Sequence, residues 1–215
     1  MSFLEILGVL FRGAGHTLLV TLACSLTGLA VGLAIASLSR LEQRWISPLL
    51  VGFTYVFRGI PVLVLLFLIF FGLPGIGLRV SPLAAMMLSL GLVAGAYLAE
   101  VFRGALEAID PHEVLAAQAM GMTRMQILLS IELPQMLRFS VPGMINEFTT
   151  VLKYSPFAYT VGIPEVMKEA MALTSTTLRG IEIYCAVGLI YFGIYRILVA
   201  LVRLIERRYR IPGLA

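Results

Sequence analysis

Residues Gly13 to Ser39 read GAGHTLLVTLACSLTGLAVGLAIASLS, 27 positions without an Asp, Glu, Lys or Arg. A hydrocarbon core about 30 Å thick is crossed by about 20 apolar helical residues, so this run is long enough to span a bilayer. The rest of the chain extends the reading. Of its 215 residues 60% are hydrophobic and 13% charged, and the mean hydropathy is +0.97. Soluble domains carry about 45–50% apolar and about 25% charged residues. A water-soluble fold of this size would leave much of that apolar surface wet, whereas lipid removes the penalty. The expectation is an all-α polytopic membrane protein, a single domain over residues 1–215. That length leaves little for a separate soluble domain, so a nucleotide-binding domain of its own is not expected.

Four further segments resemble spans. A run between Arg58 and Arg79 ends at Gly72-Leu-Pro-Gly75 and is preceded by apolar Trp45 to Phe57. Pro61 permits either one kinked helix or an interfacial helix followed by a span. The third run is Val80 to Ala99, with Glu100 and Arg103 at its far end. A less apolar helix is expected from Pro134 to Lys153, and a fifth span from Glu182 to Val202. Residues Met1 to His16, interrupted by Glu5 and Arg12, read as an interfacial amphipathic lead-in without the ordered regions of a cleavable signal. Gly28 and Gly32, four apart, offer a small-residue face for another helix. Cys24 and Cys185 lie in apolar stretches without metal or redox spacing and read as packing residues.

The sixteen Lys and Arg give a formal charge of +4. Because they flank apolar runs, they are better explained by orientation in a membrane than by nucleic acid, and no nucleic-acid partner is expected. Eleven fall on one side: Arg40, Arg44, Arg58, Arg103, Arg124, Arg138, Arg196, Arg203, Arg207, Arg208 and Arg210. Five fall on the other: Arg12, Arg79, Lys153, Lys168 and Arg179. The first group is therefore expected in the cytoplasm. That places the N-terminus outside, the C-terminus inside and the loop of residues 110–133 in the cytoplasm.

That loop reads as two capped helices. Asp110, Pro111 and Glu113 suit an N-cap, first turn and capping box, and Gly121 suits a terminator. Thr123 and Gln126 repeat the capping pattern, predicting a second short helix that stops before Pro134. On capping alone this is an ordinary helical hairpin. The ordered set Ala116, Ala117, Gly121, Ile131, Leu133 and Pro134 goes further, and resembles the EAA loop of the transmembrane subunits of ABC importers. In that family the short helix seats in a groove of a cytoplasmic ATPase. The resemblance assigns the docking role here to Ala116, Ala117, Gly121 and Met122, while the motif's glutamate position holds Leu115. Phe57-Arg-Gly-Ile-Pro61, Phe71-Gly-Leu-Pro74, Gly95 to Gly104, Leu152-Lys153 and Gly162-Ile-Pro-Glu165 resemble the polar amino-acid uptake branch. The similarity implies a dimeric membrane core with an identical or related second permease chain. It also implies an ATPase dimer holding ATP and Mg, and an extracytoplasmic amino-acid-binding protein.

Polar groups within the spans are the candidate substrate pathway. Pro142, Asn146, Thr149, Thr150 and Lys153 fall on one helical face, with Glu147 beside it. That face either lines a pathway or bonds to neighbouring helices. Glu100 and Arg103, three apart, form either a structural ion pair or a fork for an amino-acid carboxylate. In the family the lysine at position 153 is commonly followed by an acidic residue, but here Tyr154, Ser155 and Pro156 follow. The resemblance then favours a polar neutral or acidic amino acid over a cationic one. Met167 to Leu173 is expected as a short outer helix that contacts the binding protein or covers the surface. There is no Walker sequence, so neither a catalytic residue nor a bound cofactor or metal is expected in this chain. The rival readings are a stand-alone homodimeric channel or secondary carrier, which needs no cytoplasmic knob, and a structural assembly factor.

Overall fold

The computed structural model describes residues 2–40 and 45–209, with 203 and 205–209 as backbone only. Arg44 and Arg210, both counted above as cytoplasmic, lie outside the described residues. In chain order the helices are α1 (Phe3–Arg40), α2 (Ser47–Gly59), α3 (Val62–Phe67), α4 (Pro82–Met86), α5 (Leu92–Glu107) and α6 (Pro111–Ala119). They continue with α7 (Arg124–Ile127), α8 (Leu133–Phe139), α9 (Val141–Tyr154), α10 (Val166–Thr177) and α11 (Gly180–Tyr209). The described residues contain no strand.

At ~1.5 Å per residue the 38 residues of α1 run about 57 Å, well beyond a hydrocarbon core of about 30 Å. The expected separate lead-in up to His16 is therefore corrected: it is the first part of the same helix. Ile6, Leu10 and Ala14 are buried against Val166, Ala170, Ile183 and Ala186 of α10 and α11. This packing holds the segment helical despite Gly8, Gly13 and Gly15.

Between α2 and α3 the chain turns by 101°. Ile60 is extended (φ −103°, ψ 130°), as the residue before a proline prefers. The two are therefore distinct helices meeting at a sharp bend, not one gently kinked helix. α3 runs through a π-helical turn (Leu68–Gly72) into a 3-10 turn (Leu73–Ile76), which Gly77 ends in the left-handed region (φ 85°). α4 starts at a cap in which Ser81 Oγ accepts from Ala84 N at 3.2 Å. A π-helical turn (Met87–Gly91) joins it to α5.

A long close seam runs between α1 and α5. A Cβ at Gly28 would stand 2.9 Å from that of Ala94, one at Gly32 2.8 Å from that of Leu98, and one at Gly95 2.8 Å from Val31. The two backbones are therefore nearly in contact, and the small-residue face read from the sequence is used here.

Two expectations around Pro134 are corrected. The second loop helix does not stop before it: α7 passes through a π-helical turn (Leu128–Glu132) into α8 without a break. A wider turn accommodates a proline that has no N–H and would crowd the preceding carbonyl. The helix expected from Pro134 to Lys153 is split at Ser140 into α8 and α9. Among the described residues three helical stretches are long and apolar enough to cross a membrane: α1, α4 with α5, and α11. A fourth is added if α2 and α3 make one broken span. The segment expected as the fourth span, Pro134 to Lys153, does not form one long apolar helix, because α8 and α9 are short and carry Arg138, Glu147 and Lys153. Cys24 is buried as expected, whereas Cys185 is exposed and does not pack inside the chain.

Candidate functional site

The loop of residues 110–133 leaves α5 at the Arg40 end of the bundle. Asp110 Oδ1 accepts from His112 N at 2.9 Å, but Glu113 does not complete the expected capping box; its carboxylate accepts instead from Gln135 Nε2 of α8. This bond ties the first loop helix to the start of the next element. α6 ends in a Schellman motif: Gly121 N donates to Gln118 O and Met122 N to Ala117 O, with Gly121 at φ 80°. That left-handed conformation favours glycine. Thr123 and Gln126 form the full capping box that opens α7. Ala117 and Met122 face inward or lie half-buried, while Ala116 and Gly121 are exposed. Around them Leu115, Met120, Met125 and Leu129 are exposed too, Met120 by 76%. The four residues expected to dock are thus gathered on one double turn, with these four large apolar side chains exposed around them.

Glu100 and Arg103 sit on the last turns of α5, close to this loop. Arg103 Nη2 donates to Glu100 Oε2 at 2.7 Å and Nη1 to Glu107 Oε1 at 2.6 Å. Both arms of the guanidinium are occupied by carboxylates, so the ion pair open to the sequence is formed. Arg58 completes the group, 4.0 Å from Glu100 and stacked over Tyr97.

On α9, Asn146 and Lys153 are exposed and Thr150 is half-buried, whereas Thr149 and Glu147 are buried. Thr149 and Thr150 both donate to Asn146 O, at 2.8 and 3.0 Å, so part of the polar stripe satisfies its own helix. Lys153 lines a cavity of about 290 Å³ with Leu152, Tyr191, Phe192 and Tyr195. The predicted set therefore falls in two places: Asn146, Glu147, Thr150 and Lys153 on α9, and Glu100 with Arg103 near the loop. No group of three or more metal-ligating side chains converges among the described residues.

Two buried carboxylates were not singled out by sequence reasoning. Glu165 caps α10, accepting from Met167 N and Lys168 N at 2.8 and 2.9 Å, and Tyr191 Oη donates to it at 2.7 Å. Burial pushes its carboxyl above the usual range, and these donors oppose that shift. Glu132, 1% exposed, faces Arg40 and Arg124. A lone carboxylate in the largely apolar run Ile127 to Leu133 is the signal that could have found it. The outer helix expected over Met167 to Leu173 is present as the longer α10.

The family described as binding-protein-dependent transport system inner membrane component matches residues 28–211. The probable amino-acid ABC transporter permease protein YckA of Bacillus subtilis is 31% identical over 202 residues, covering 92% of this chain and 88% of that protein. The histidine/lysine/arginine/ornithine transport system permease protein HisQ of Escherichia coli is 32% identical, covering 95% and 94%. A chain from the crystal structure of an amino acid ABC transporter with histidines superposes with a TM-score of 0.85 at 30% identity, over 97% of this chain and 99% of that one. The MetNI methionine ABC transporter, in an inward-facing conformation, shares the fold at a TM-score of 0.80 and 23% identity.

Proposed function

The chain belongs to the family of binding-protein-dependent transport system inner membrane components, and from that premise we propose that it translocates a polar amino acid as the membrane-spanning subunit of an ATP-driven importer. It is a multi-pass permease component of the inner membrane and not an enzyme; ATP hydrolysis belongs to a partner ATPase. The amino acid is delivered by an extracytoplasmic binding protein. The whole chain acts as one permease domain, paired with a second identical or related chain over an ATPase dimer. ATP and Mg are held by that dimer. The N-terminus lies outside and the C-terminus in the cytoplasm, with α6 and α7 on the cytoplasmic side. The absence of a carboxylate after Lys153 supports a polar neutral or acidic substrate.

The observation that carries this reading is the double turn at Gly121. A helix pair locked by a Schellman motif and a capping box, with Leu115, Met120, Met125 and Leu129 exposed, suits a rigid plug for a protein groove. A stand-alone channel or carrier has no use for such a plug. In the proposed cycle, closure of the ATPase around ATP displaces the two loops of the dimer and turns the pathway outward. Hydrolysis resets it. The exposed face of α9, with Asn146, Thr150 and Lys153 and with Glu147 behind it, lines the pathway. Glu100 and Arg103 hold its cytoplasmic end.

Proteoliposomes test this directly. The chain with its ATPase and binding protein should take up labelled amino acids only when ATP is supplied. Uptake by the chain alone, indifferent to ATP, overturns the proposal and favours the channel.

A further inference from the structure

At the loop end of the bundle two arginines share one buried carboxylate, and each also caps a different long helix. Arg124 Nη1 donates to Glu132 Oε1 at 3.3 Å, and Arg40 Nε stands 3.5 Å from the same oxygen. Arg124 Nε donates at 3.1 Å to the carbonyl of Arg40, the last residue of α1. Arg40 Nη2 donates at 3.0 Å to the carbonyl of Leu106 in the last turn of α5. Helix C-termini present unpaired carbonyls and a partial negative charge, so each guanidinium is held by a helix end as well as by Glu132. The contacts run without interruption from α7 and its π-helical turn to α1, and from α1 to α5.

Two features distinguish this knot from an ordinary surface ion pair. Its carboxylate is 1% exposed and its arginines are only about a third exposed, so solvent screens it weakly and loss of either sign leaves an uncompensated charge. It is also unsaturated. Among the described residues Glu132 Oε2 and Arg40 Nε are buried without a hydrogen-bond partner, and both contacts exceed the ~2.7–2.9 Å of a well-formed charge-assisted bond. A spare acceptor and a spare donor let the guanidinia shift along the carboxylate without losing the pair. Beyond the knot, α1 and α5 touch backbone to backbone through Gly28, Gly32 and Gly95, so displacing their ends moves them together.

We propose that Glu132 is a positioning residue that transmits displacement of the loop to α1 and α5, through the two arginine caps. The inference rests on the importer reading above and adds to it the route by which the loop drives the membrane helices. Its test uses the full complex in proteoliposomes, with a mixture of radiolabelled amino acids as the probe. Recovery of the complex through a tagged ATPase, ATP hydrolysis and uptake per ATP are measured together. Glu132→Gln should assemble and hydrolyse ATP while uptake per ATP falls by about two- to thirty-fold, the span of measured coupling changes. A second variant, Arg40→Met with Glu132→Leu and Arg124→Met, removes every buried charge of the knot and guards against simple misfolding. It should assemble and show the same loss.

Unchanged uptake per ATP in an assembled Glu132→Gln complex overturns the proposal, as does full coupling in the triple variant. Failure of both variants to assemble also overturns it, because the knot then only holds the chain together. A wild-type complex with no ATP-dependent uptake would instead sink the importer reading itself.

Discussion

Glu165 and Glu132 are both carboxylates buried near opposite ends of α1, yet they are held in different ways. Glu165 receives two backbone N–H groups and the Tyr191 hydroxyl at 2.7 to 2.9 Å, all from α10 and α11. Beside it α1 comes so close that a Cβ at Gly13 would lie 2.5 Å from Val166 N. Among the described residues Glu132 finds no backbone donor; it is held by two long side chains, at 3.3 and 3.5 Å, and keeps one oxygen unbonded. Backbone donors and a glycine contact fix a geometry, because neither has rotamers to exchange. Arginine partners hold a charge while allowing the geometry to change. The α10 end is therefore built as a clamp and the loop end as a joint.

The largest effect that would break this contrast is expected at Gly13. Gly13→Val must displace the backbone of Glu165 and Val166, and overpacking of this kind costs about 1–3 kcal/mol or more. Thermal unfolding of the purified chain should show a marked fall in Tm, whereas Gly15→Ala, with open space around it, should leave Tm nearly unchanged. Equal effects at the two glycines would remove the clamp from the argument. Next is Glu165→Ala, which removes the acceptor of the Met167 and Lys168 N–H groups and of the Tyr191 hydroxyl. Lost capping and orphaned donors together cost about 2 kcal/mol, read as a lower denaturant midpoint and faster hydrogen exchange over residues 166–170.

Smaller effects belong to the loop. Gly121→Ala introduces a Cβ that meets nothing within 4 Å, so its cost is the left-handed backbone, about 1 kcal/mol. Binding of the ATPase should weaken by up to about tenfold with membrane insertion unchanged; undiminished binding in a pull-down would remove Gly121 from the docking joint. Thr123→Ala, which dismantles the capping box, should cost about 1 kcal/mol. Proteolysis at 120–126 should rise while the α10 end stays protected. Increased cleavage at both ends would show that they are not independent.

Local chemistry made much of this molecule legible. Gly121, Thr123 and Gln126 act through hydrogen bonds spanning three to five residues, and the structure forms those bonds. Gly28 and Gly32 likewise announced a close helix contact. What failed had a tertiary cause. Asp110 and Glu113 satisfy the capping-box pattern, but Gln135, 22 residues away, captures the glutamate. Pro134 reads as a helix stop, yet a π-helical turn carries the helix past it. Between the two roles open to Arg103 in sequence, only the fold shows its arms engaged, by Glu100 and by Glu107, four residues on.

By itself the sequence determined the solvent the protein lives in, the all-α class, the capped loop and the family, because each depends on composition or on contacts within a few residues. Only the tertiary structure decided where Glu132 and Glu165 find their partners. Arg40 lies 92 positions from Glu132 and Tyr191 lies 26 from Glu165, and a buried charge takes its meaning from what surrounds it. The same physics made α1 one unbroken helix: its first turns are held by α10 and α11, which no local pattern near Met1 to His16 records.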